Sequence, residues 1–151
     1  MLPAGRSRPQ AGRPQAVQPP LSAGSRPSPG RVLVLARHPL LRRALSALVT
    51  LDAGLALCGE AAEALDGLAA VRRLQPDLVI TELPFDVFRG LALLRQIVAG
   101  QPGLPVLVVC WHDQARWADA AHQAGARACV ARHEIGTRLP GLIRQVLGAA
   151  C

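Results

Sequence analysis

The feature that most constrains the fold of this chain is a regular alternation of short apolar runs with longer amphipathic segments, which begins at residue 31. The apolar runs are rich in Val, Leu and Ile, as expected of strands that are buried on both faces of a sheet. The segments between them carry apolar residues at helical spacing. This order predicts a doubly wound α/β fold of (βα)5 type with a five-stranded parallel sheet. The predicted strands are residues 31–36, 55–60, 78–81, 106–109 and 128–131, and the predicted helices are residues 39–51, 62–74, 90–99, 113–124 and 137–147.

Local signals refine the predicted helices. Asp113 is a candidate N-cap of the fourth helix, and Gly125 is a candidate C-cap glycine at its other end. Pro140 is expected in the first turn of the last helix, where its missing N–H is tolerated. In the second helix, one buried face is predicted for Ala64, Leu65, Leu68, Val71 and Leu74.

The first 30 residues differ in composition from the rest of the chain. They contain seven of the 13 prolines, four of the 14 glycines, four of the 17 basic residues and no acidic residue. Such a segment cannot bury enough apolar surface to offset its ordering entropy, so we predict a disordered tail that acts as a solvated spacer. Contact with a partner or nucleic acid through the four arginines is the alternative. Since much of the net charge of +7 belongs to this tail, the charge does not by itself indicate a nucleic-acid-binding fold.

Hydropathy and cysteine spacing exclude several classes of protein. The most apolar stretch, residues 104–111, is too short to span a membrane, and the tail lacks the apolar core of a signal peptide. Cys58, Cys110, Cys129 and Cys151 show no C-x-x-C spacing, which argues against zinc-binding and thioredoxin-like sites. We therefore expect a cytoplasmic protein with reduced thiols and no cofactor. Cys58 and Cys129 are expected in the core, and Cys110 is either a buried filler or a thiol activated by nearby arginines.

Four stretches of sequence resemble the response-regulator receiver domain, the CheY-like superfamily, and in particular its NarL-type branch. They are RVLVLARHPLLRRAL from residue 31, PDLVITELPFDVFRGLALLRQI from residue 76, VLVVCWHD from residue 106 and AGARACVARH from residue 124. A fifth stretch, LCGEAAEALDGL from residue 57, resembles the second strand of the family and the turn after it. The resemblance covers residues 31–148 and agrees in the order of elements. It implies a flavodoxin-like fold and a role in bacterial two-component or phosphorelay signalling.

At the positions where the family carries its phosphorylation chemistry, this sequence has different residues. The acidic pair after the first strand is replaced by Ala36 and Arg37, and the phosphorylated aspartate is replaced by Glu82. The other departures are Cys110 for the small hydroxyl residue, Cys129 for the aromatic switch residue, Arg132 for the phosphate-pairing lysine and Asp86 for the proline after the phosphoacceptor. Together, these departures imply that the phosphoryl-transfer reaction has been lost.

The residue chemistry leads to the same expectation. Aspartyl-phosphate chemistry needs Mg²⁺, and Mg²⁺ is commonly held by a cluster of carboxylates. The crevice at the carboxyl ends of the strands offers Glu82 beside Arg37 and Arg132, whose guanidinium groups repel a divalent cation. We predict a metal-free site with a salt bridge from Glu82 to Arg37, Arg132 or both. A phosphate or carboxylate ligand between the two arginines is the alternative, and Glu82 is either an ordinary salt-bridge partner or a mimic of the phosphorylated state.

Histidines follow three of the predicted strands, at His38, His112 and His133. With Asp86 or Asp113 they could supply the ligands of a metal site if their side chains converged. Nothing in their spacing demands such a site, and the family resemblance alone accounts for His38. We therefore predict no metal at this edge.

The function predicted from these observations is that of a stand-alone pseudo-receiver, not an enzyme, which binds proteins without accepting phosphate. The expected partner is a signalling protein or a second copy, bound through the face of residues 115–123 and 139–147, with an exposed Trp117 at the interface. Membrane contact is not expected, nor is nucleic-acid binding without a separate output domain. Two alternatives remain: a truncated DNA-binding response regulator that lacks its helix-turn-helix, and a ligand-sensing flavodoxin-like domain. The second is disfavoured because no glycine-rich loop follows the first strand.

Overall fold

The computed structural model of the chain describes residues 28–83, 87–110 and 115–149. The predicted disorder of the tail falls almost entirely on residues 1–27, which lie outside the described residues. The predicted alternation of strands and helices is confirmed. The strands are β1 (Gly30–Leu35), β2 (Leu55–Ala61), β3 (Leu78–Leu83), β4 (Val106–Cys110) and β5 (Ala128–Ala131), and the helices are α1 (Pro39–Thr50), α2 (Ala64–Leu74), α3 (Val87–Gly100), α4 (Ala115–Gln123) and α5 (Ile135–Ala149).

The five strands form one parallel sheet in the order β2-β1-β3-β4-β5. Strand β3 lies at the centre and is buried along its whole length, which explains why it begins with a continuous apolar run, Leu78–Ile80, rather than an alternating pattern. The chain leaves β1 toward one edge of the sheet and β3 toward the other. Such a reversal of strand order creates a crevice at the carboxyl ends of the strands, here between β1 and β3.

Alternate residues along each strand face opposite sides of the sheet, and each side has its own hydrophobic core. Helices α1 and α5 cover one side, which includes Val34, Ile80 and Val109. Helices α2, α3 and α4 cover the other side, which includes Leu33, Val79 and Val108. The doubly wound fold predicted from the sequence is confirmed. No helix in the described part of the chain is both long enough and apolar enough to cross a bilayer.

Several predicted helix ends are wrong. Helix α3 begins at Val87 rather than Gly90. A short 3-10 helix, Arg132–Glu134, leads directly into α5, which therefore begins at Ile135, and Pro140 lies inside the helix instead of in its first turn. The predicted face of α2 is wrong at Ala64 and Leu65, which are both exposed, Leu65 by 81%, because they lie in the first turn, before the helix contacts the core. The N-cap predicted at Asp113 lies outside the described residues.

The glycine that ends α4 is confirmed. Gly125 has a φ of +115°, a left-handed conformation that favours glycine. Its N–H donates to the carbonyl of His122, and the N–H of Ala126 donates to the carbonyl of Ala121, which is the Schellman pattern of helix termination. A Cβ at position 125 would also lie 2.8 Å from a methyl group of Val98. The glycine thus fixes the turn that carries the chain from α4 into β5.

Candidate functional site

Glu82 is a buried charged residue at the carboxyl end of β3, with only 6% of its surface exposed. Its side chain faces the side of the sheet that α1 and α5 cover, since it lies two residues after Ile80. Its Oε1 atom accepts hydrogen bonds from two consecutive backbone N–H groups, those of Arg37 and His38, the second at 2.8 Å. The carboxylate of β3 therefore binds the segment that joins β1 to α1.

The two amides that Glu82 binds stand at the N-terminus of α1. His38 is the N-cap residue of this helix, and its Nδ1 accepts from the N–H of Leu41 at 3.4 Å. Pro39 follows in the first helical turn. The N-terminus of a helix carries a partial positive charge and free N–H donors, so a carboxylate is stabilised there. The helix end thus offers an anion site, and the chain fills it with its own Glu82.

The predicted salt bridge from Glu82 to Arg37 is wrong. Arg37 contacts Glu82 through its backbone N–H, while its side chain is exposed. The reason is the path of the chain after β1, which turns the amide of Arg37 toward the carboxylate and the side chain toward solvent. Arg132 is half-buried at the start of the 3-10 helix after β5. Its predicted salt bridge with Glu82 stays a prediction.

A small cavity of about 130 Å³ adjoins Glu82 at the crevice between β1 and β3. Its lining includes Thr81 and Glu82 from β3, Arg37 from the β1–α1 turn and Arg89 from α3. Arg132 lines a different cavity, beside Leu40 and Gly136. The arginine that shares the crevice with Arg37 is therefore Arg89. The sequence reasoning overlooked it because it lies between the predicted strand 78–81 and the predicted helix 90–99, and not directly after a strand.

Arg42 is a second residue whose position at the crevice the sequence did not reveal. Sequence periodicity places it on the outer face of α1, but its guanidinium Nη1 donates to the carbonyl of Ala36 at 2.8 Å. Its Nε lies 3.5 Å from Oε1 of Glu60 at the end of β2. Arg42 therefore ties the turn after β1 to both α1 and β2, and it helps to hold the amides that Glu82 binds.

The cysteine pair Cys110 and Cys129 forms a disulfide between β4 and β5. The expectation of reduced thiols is wrong for this pair. In the register of the two strands, Val108 is the partner of Cys129 and Cys110 is the partner of Ala131. Both cysteines therefore face the same side of the sheet, and their Cα atoms lie 6.8 Å apart, a separation that a disulfide can span. Sequence spacing alone could not indicate this pairing, because it depends on the register of two strands that are separated by a helix.

The other candidate residues do not gather into a site. Among the residues that the structure describes, there is no group of three or more His, Cys, Asp or Glu side chains that could hold a metal. His38 caps α1, and His133 is exposed in the 3-10 helix. The expected exposure of Trp117 is wrong, because this side chain is half-buried and packs against the core beneath α4. Three further candidates lie outside the described residues: Asp86, His112 and Asp113.

A cavity of about 840 Å³ lies at the opposite edge of the sheet, where the strands begin. Two acidic residues line it, and each has a structural role. Asp77 accepts a hydrogen bond from the backbone N–H of Arg31, and Asp52 accepts one from the N–H of Gly54, both at 2.8 Å. These carboxylates fix the turns that precede β1, β2 and β3, so this edge lacks the chemistry seen around Glu82.

Comparisons with known proteins agree on the identity of the fold. The family model of the response regulator receiver domain matches residues 32–143. A protein-glutamate methylesterase/protein-glutamine glutaminase of Rhizobium etli is 32% identical over 115 residues, which are 75% of this chain and 33% of the relative. This chain therefore spans about a third of the length of that curated relative.

Solved structures of response regulators share the fold of this chain. The signal receiver domain of the response regulator NarL from Mycobacterium tuberculosis superposes with a TM-score of 0.73 at 20% identity, over 81% of this chain and 98% of that one. A two-component response regulator of the LuxR family from Aurantimonas sp. SI85-9A1 superposes with the same TM-score of 0.73 at 26% identity, over 81% and 87% of the two chains.

Proposed function

This chain belongs to the response regulator receiver domain family of two-component signalling, and from that premise we propose that it is a pseudo-receiver. It acts by binding a protein partner, without Mg²⁺ and without accepting a phosphoryl group at Glu82. The single observation that carries the proposal is the pair of hydrogen bonds from the backbone amides of Arg37 and His38 to the buried Glu82 carboxylate.

These hydrogen bonds weaken Glu82 as a nucleophile. A carboxylate attacks a phosphodonor through an oxygen lone pair, and hydrogen bonds to the ionised form stabilise it before the attack. The Oε1 atom of Glu82 accepts two such bonds, and the side chain is buried. Phosphorylation would replace the ionised carboxylate that the N-terminus of α1 stabilises with an acyl phosphate, and the buried side chain would have to move to make room for the phosphoryl group.

The residues around Glu82 also support independence from Mg²⁺. Ala36 and Arg37 follow β1 where the resemblance places an acidic pair, and neither residue supplies a carboxylate. Two arginines, Arg37 and Arg89, line the cavity beside Glu82. Mg²⁺ prefers octahedral oxygen ligation and is poorly held where cationic side chains line the site.

The experiment that tests the proposal is treatment with acetyl phosphate and Mg²⁺, followed by intact-mass measurement. We expect no gain of a phosphoryl group by the native chain. The matched control is the triple variant Ala36→Asp, Arg37→Asp and Glu82→Asp, which provides three carboxylates at the crevice and tests whether these substitutions alone restore phosphorylation. An Mg²⁺-dependent mass gain in the native chain, localised to Glu82 by peptide mapping, would contradict the proposal.

For the binding surface, we propose the face formed by α4, β5 and α5, which comprises residues 115–123, 128–131 and 139–147. Strand β5 is an edge strand of the described sheet, and three of its four residues are only half-buried. Helix α4 contributes the exposed Asp119 and α5 the exposed Arg144. An exposed edge flanked by two charged helices is suited to a protein partner or to a second copy of the chain.

Charge reversal on this face tests its role. We expect Asp119→Arg to reduce self-association in analytical ultracentrifugation, or to reduce binding of a purified partner. The matched control is Asp66→Arg, since Asp66 is equally exposed but lies on α2, away from the face. Equal effects of the two substitutions would argue against this face.

The relatives suggest further activities that remain predictions for this chain. The receiver domain is not itself catalytic, and the match to the methylesterase covers a third of that protein, so we propose no esterase activity for the residues described. The NarL-type branch and the DNA-binding alternative are tested by titrating the full chain with duplex DNA at increasing salt. Salt-dependent binding that survives removal of residues 1–30 would favour that alternative.

A further inference from the structure

The structure assigns a second chemical centre to the carboxyl edge of the sheet, at the Cys110–Cys129 disulfide. We propose that these two cysteines form a reversible redox couple. Its state controls how readily α4, which follows β4 and precedes β5 in the sequence, opens away from the sheet. The couple exchanges with small thiols and disulfides such as those of the glutathione type. This inference does not depend on the phosphorylation state of Glu82.

The position of the bridge gives it a structural consequence. Cys110 is the last residue of β4 and Cys129 lies in β5, with a sequence separation of 19. The segment between them contains the whole of α4. The disulfide therefore closes a loop around this helix, and closing a loop reduces the number of open conformations available to it.

Helix α4 packs against β4 and β5, the two strands that the bridge joins. Trp117, Ala120 and Ala121 belong to the same hydrophobic cluster as Cys110 and Cys129. Reduction would leave this packing as the main restraint on the helix, while oxidation adds a covalent restraint at both ends of the loop. We therefore expect the redox state to change local opening of α4 more than opening of α1, which lies on the other side of the sheet.

The bridge begins on the strand next to the one that carries Glu82. In the pairing of β3 with β4, Glu82 is the partner of Val109 and Leu83 is the partner of Cys110. The disulfide thus begins one residue beyond the position that faces Glu82 in the register. A change at Cys110 therefore acts on the end of β4, which pairs with the end of β3, as well as on α4.

Burial differs between Cys110 and Cys129, and this difference determines which of the two residues an external thiol attacks first. Cys110 is only 1% exposed, whereas Cys129 is half-buried. An external thiolate reaches Cys129 first and attacks its Sγ, which breaks the protein disulfide and releases Cys110 as a thiolate that takes up a proton. A second thiolate then attacks the external sulfur of the mixed disulfide and releases the Cys129 thiolate, which is protonated in turn. Two small thiols are oxidised to one small disulfide, and one protein disulfide becomes two thiols.

Cys58 provides an internal contrast. It is a free cysteine in β2, and burial raises its pKa above the usual range for a thiol. A raised pKa leaves the thiol protonated at neutral pH, and the protonated form is a poor nucleophile. Cys58 is therefore not expected to exchange with small disulfides, which makes it the reference cysteine in the test.

The test is a redox titration of the full native chain in mixtures of reduced and oxidised glutathione, with thiols trapped by alkylation and mapped by peptide mass spectrometry. We expect a linked Cys110–Cys129 peptide under oxidising conditions and alkylation of both residues under reducing conditions, without denaturant. A Cys58→Ala variant should show the same transition. Alkylated Cys110 and Cys129 under oxidising conditions, or a bridge that opens only in denaturant, would overturn the proposal.

Hydrogen exchange then tests the effect on the fold. On reduction, amides of α4 should exchange roughly tenfold faster or more, as expected when a cross-link is removed from a loop of this length. Amides of α1 should change far less. The Cys110→Ala/Cys129→Ala double variant should match the reduced chain and show no dependence on glutathione. Equal changes in α1 and α4, or no change in either, would contradict the proposed role of the bridge.

Discussion

The carboxyl edge of the sheet contains two regions that are built on different chemistry. At the ends of β1 and β3, the crevice is closed by non-covalent contacts: the Glu82 carboxylate accepts from the amides of Arg37 and His38, and Arg42 binds the carbonyl of Ala36. A covalent bond joins Cys110, the last residue of β4, to Cys129, the second residue of β5. Hydrogen bonds of two charged side chains, Glu82 and Arg42, hold the crevice together, whereas a disulfide joins the neighbouring strands β4 and β5.

The two regions therefore differ in how they react with external molecules. A carboxylate already bound by the end of a helix resists reaction with an external phosphodonor. A disulfide with one half-buried partner, in contrast, is open to exchange with an external thiol. Under the two proposals made above, the crevice does not react with a phosphodonor, while the disulfide between β4 and β5 exchanges with external thiols.

The largest expected effect concerns the bridge. Reduction should lower the free energy of unfolding by about 3 kcal/mol, because the disulfide closes a loop of about 20 residues. The measurement is urea denaturation of the oxidised and reduced chain, followed by circular dichroism. The Cys110→Ala/Cys129→Ala double variant should show no difference between the two conditions. A difference that persists in this variant would place the redox effect at another cysteine.

The next effect concerns the crevice. Glu82→Ala should lower the free energy of unfolding by about 2 to 3 kcal/mol, because it leaves two backbone N–H groups without their acceptor. Glu82→Gln keeps a side-chain oxygen that can accept the same bonds and should cost about 1 kcal/mol. Chemical denaturation of the oxidised chain would measure both losses. Equal losses of stability in the two variants would show that Glu82 does not stabilise the fold by accepting these hydrogen bonds.

The order of elements could be predicted from the sequence because burial on both faces of a parallel sheet leaves a strong apolar pattern. Strand β5, at Ala128–Ala131, was predicted with its correct ends. Helix α5 was not, because its start depends on a 3-10 turn that periodicity does not reveal. Leu65 was misassigned because an apolar residue in the first turn of α2 extends the apparent face of the helix beyond the part that contacts the core.

The candidate site could be predicted in position but not in its contacts. The end of β3 follows from the strand pattern, so Glu82 was correctly expected at the carboxyl edge. Its partners depend on how the backbone turns after β1, and this turn directs the amide of Arg37 rather than its guanidinium toward the carboxylate. The Cys110–Cys129 bridge likewise depends on the register of β4 and β5, which no local sequence signal specifies.

The smallest effect concerns Arg42, and it tests whether the crevice is held by several weak contacts rather than by one strong contact. Arg42→Met keeps the apolar stem of the side chain but removes its hydrogen bond to Ala36 and its contact with Glu60. The free energy of unfolding should fall by about 1 kcal/mol, mostly from the bond to the Ala36 carbonyl, since solvent screens the partly exposed contact with Glu60. The matched control is Arg43→Met, at an exposed neighbouring position, which should change stability by less than about 0.5 kcal/mol. Arg42→Met could instead lower the free energy of unfolding by as much as reduction of the disulfide does. The crevice would then depend on one strong contact of Arg42, and the two regions would differ in their chemistry but not in how strongly they stabilise the fold.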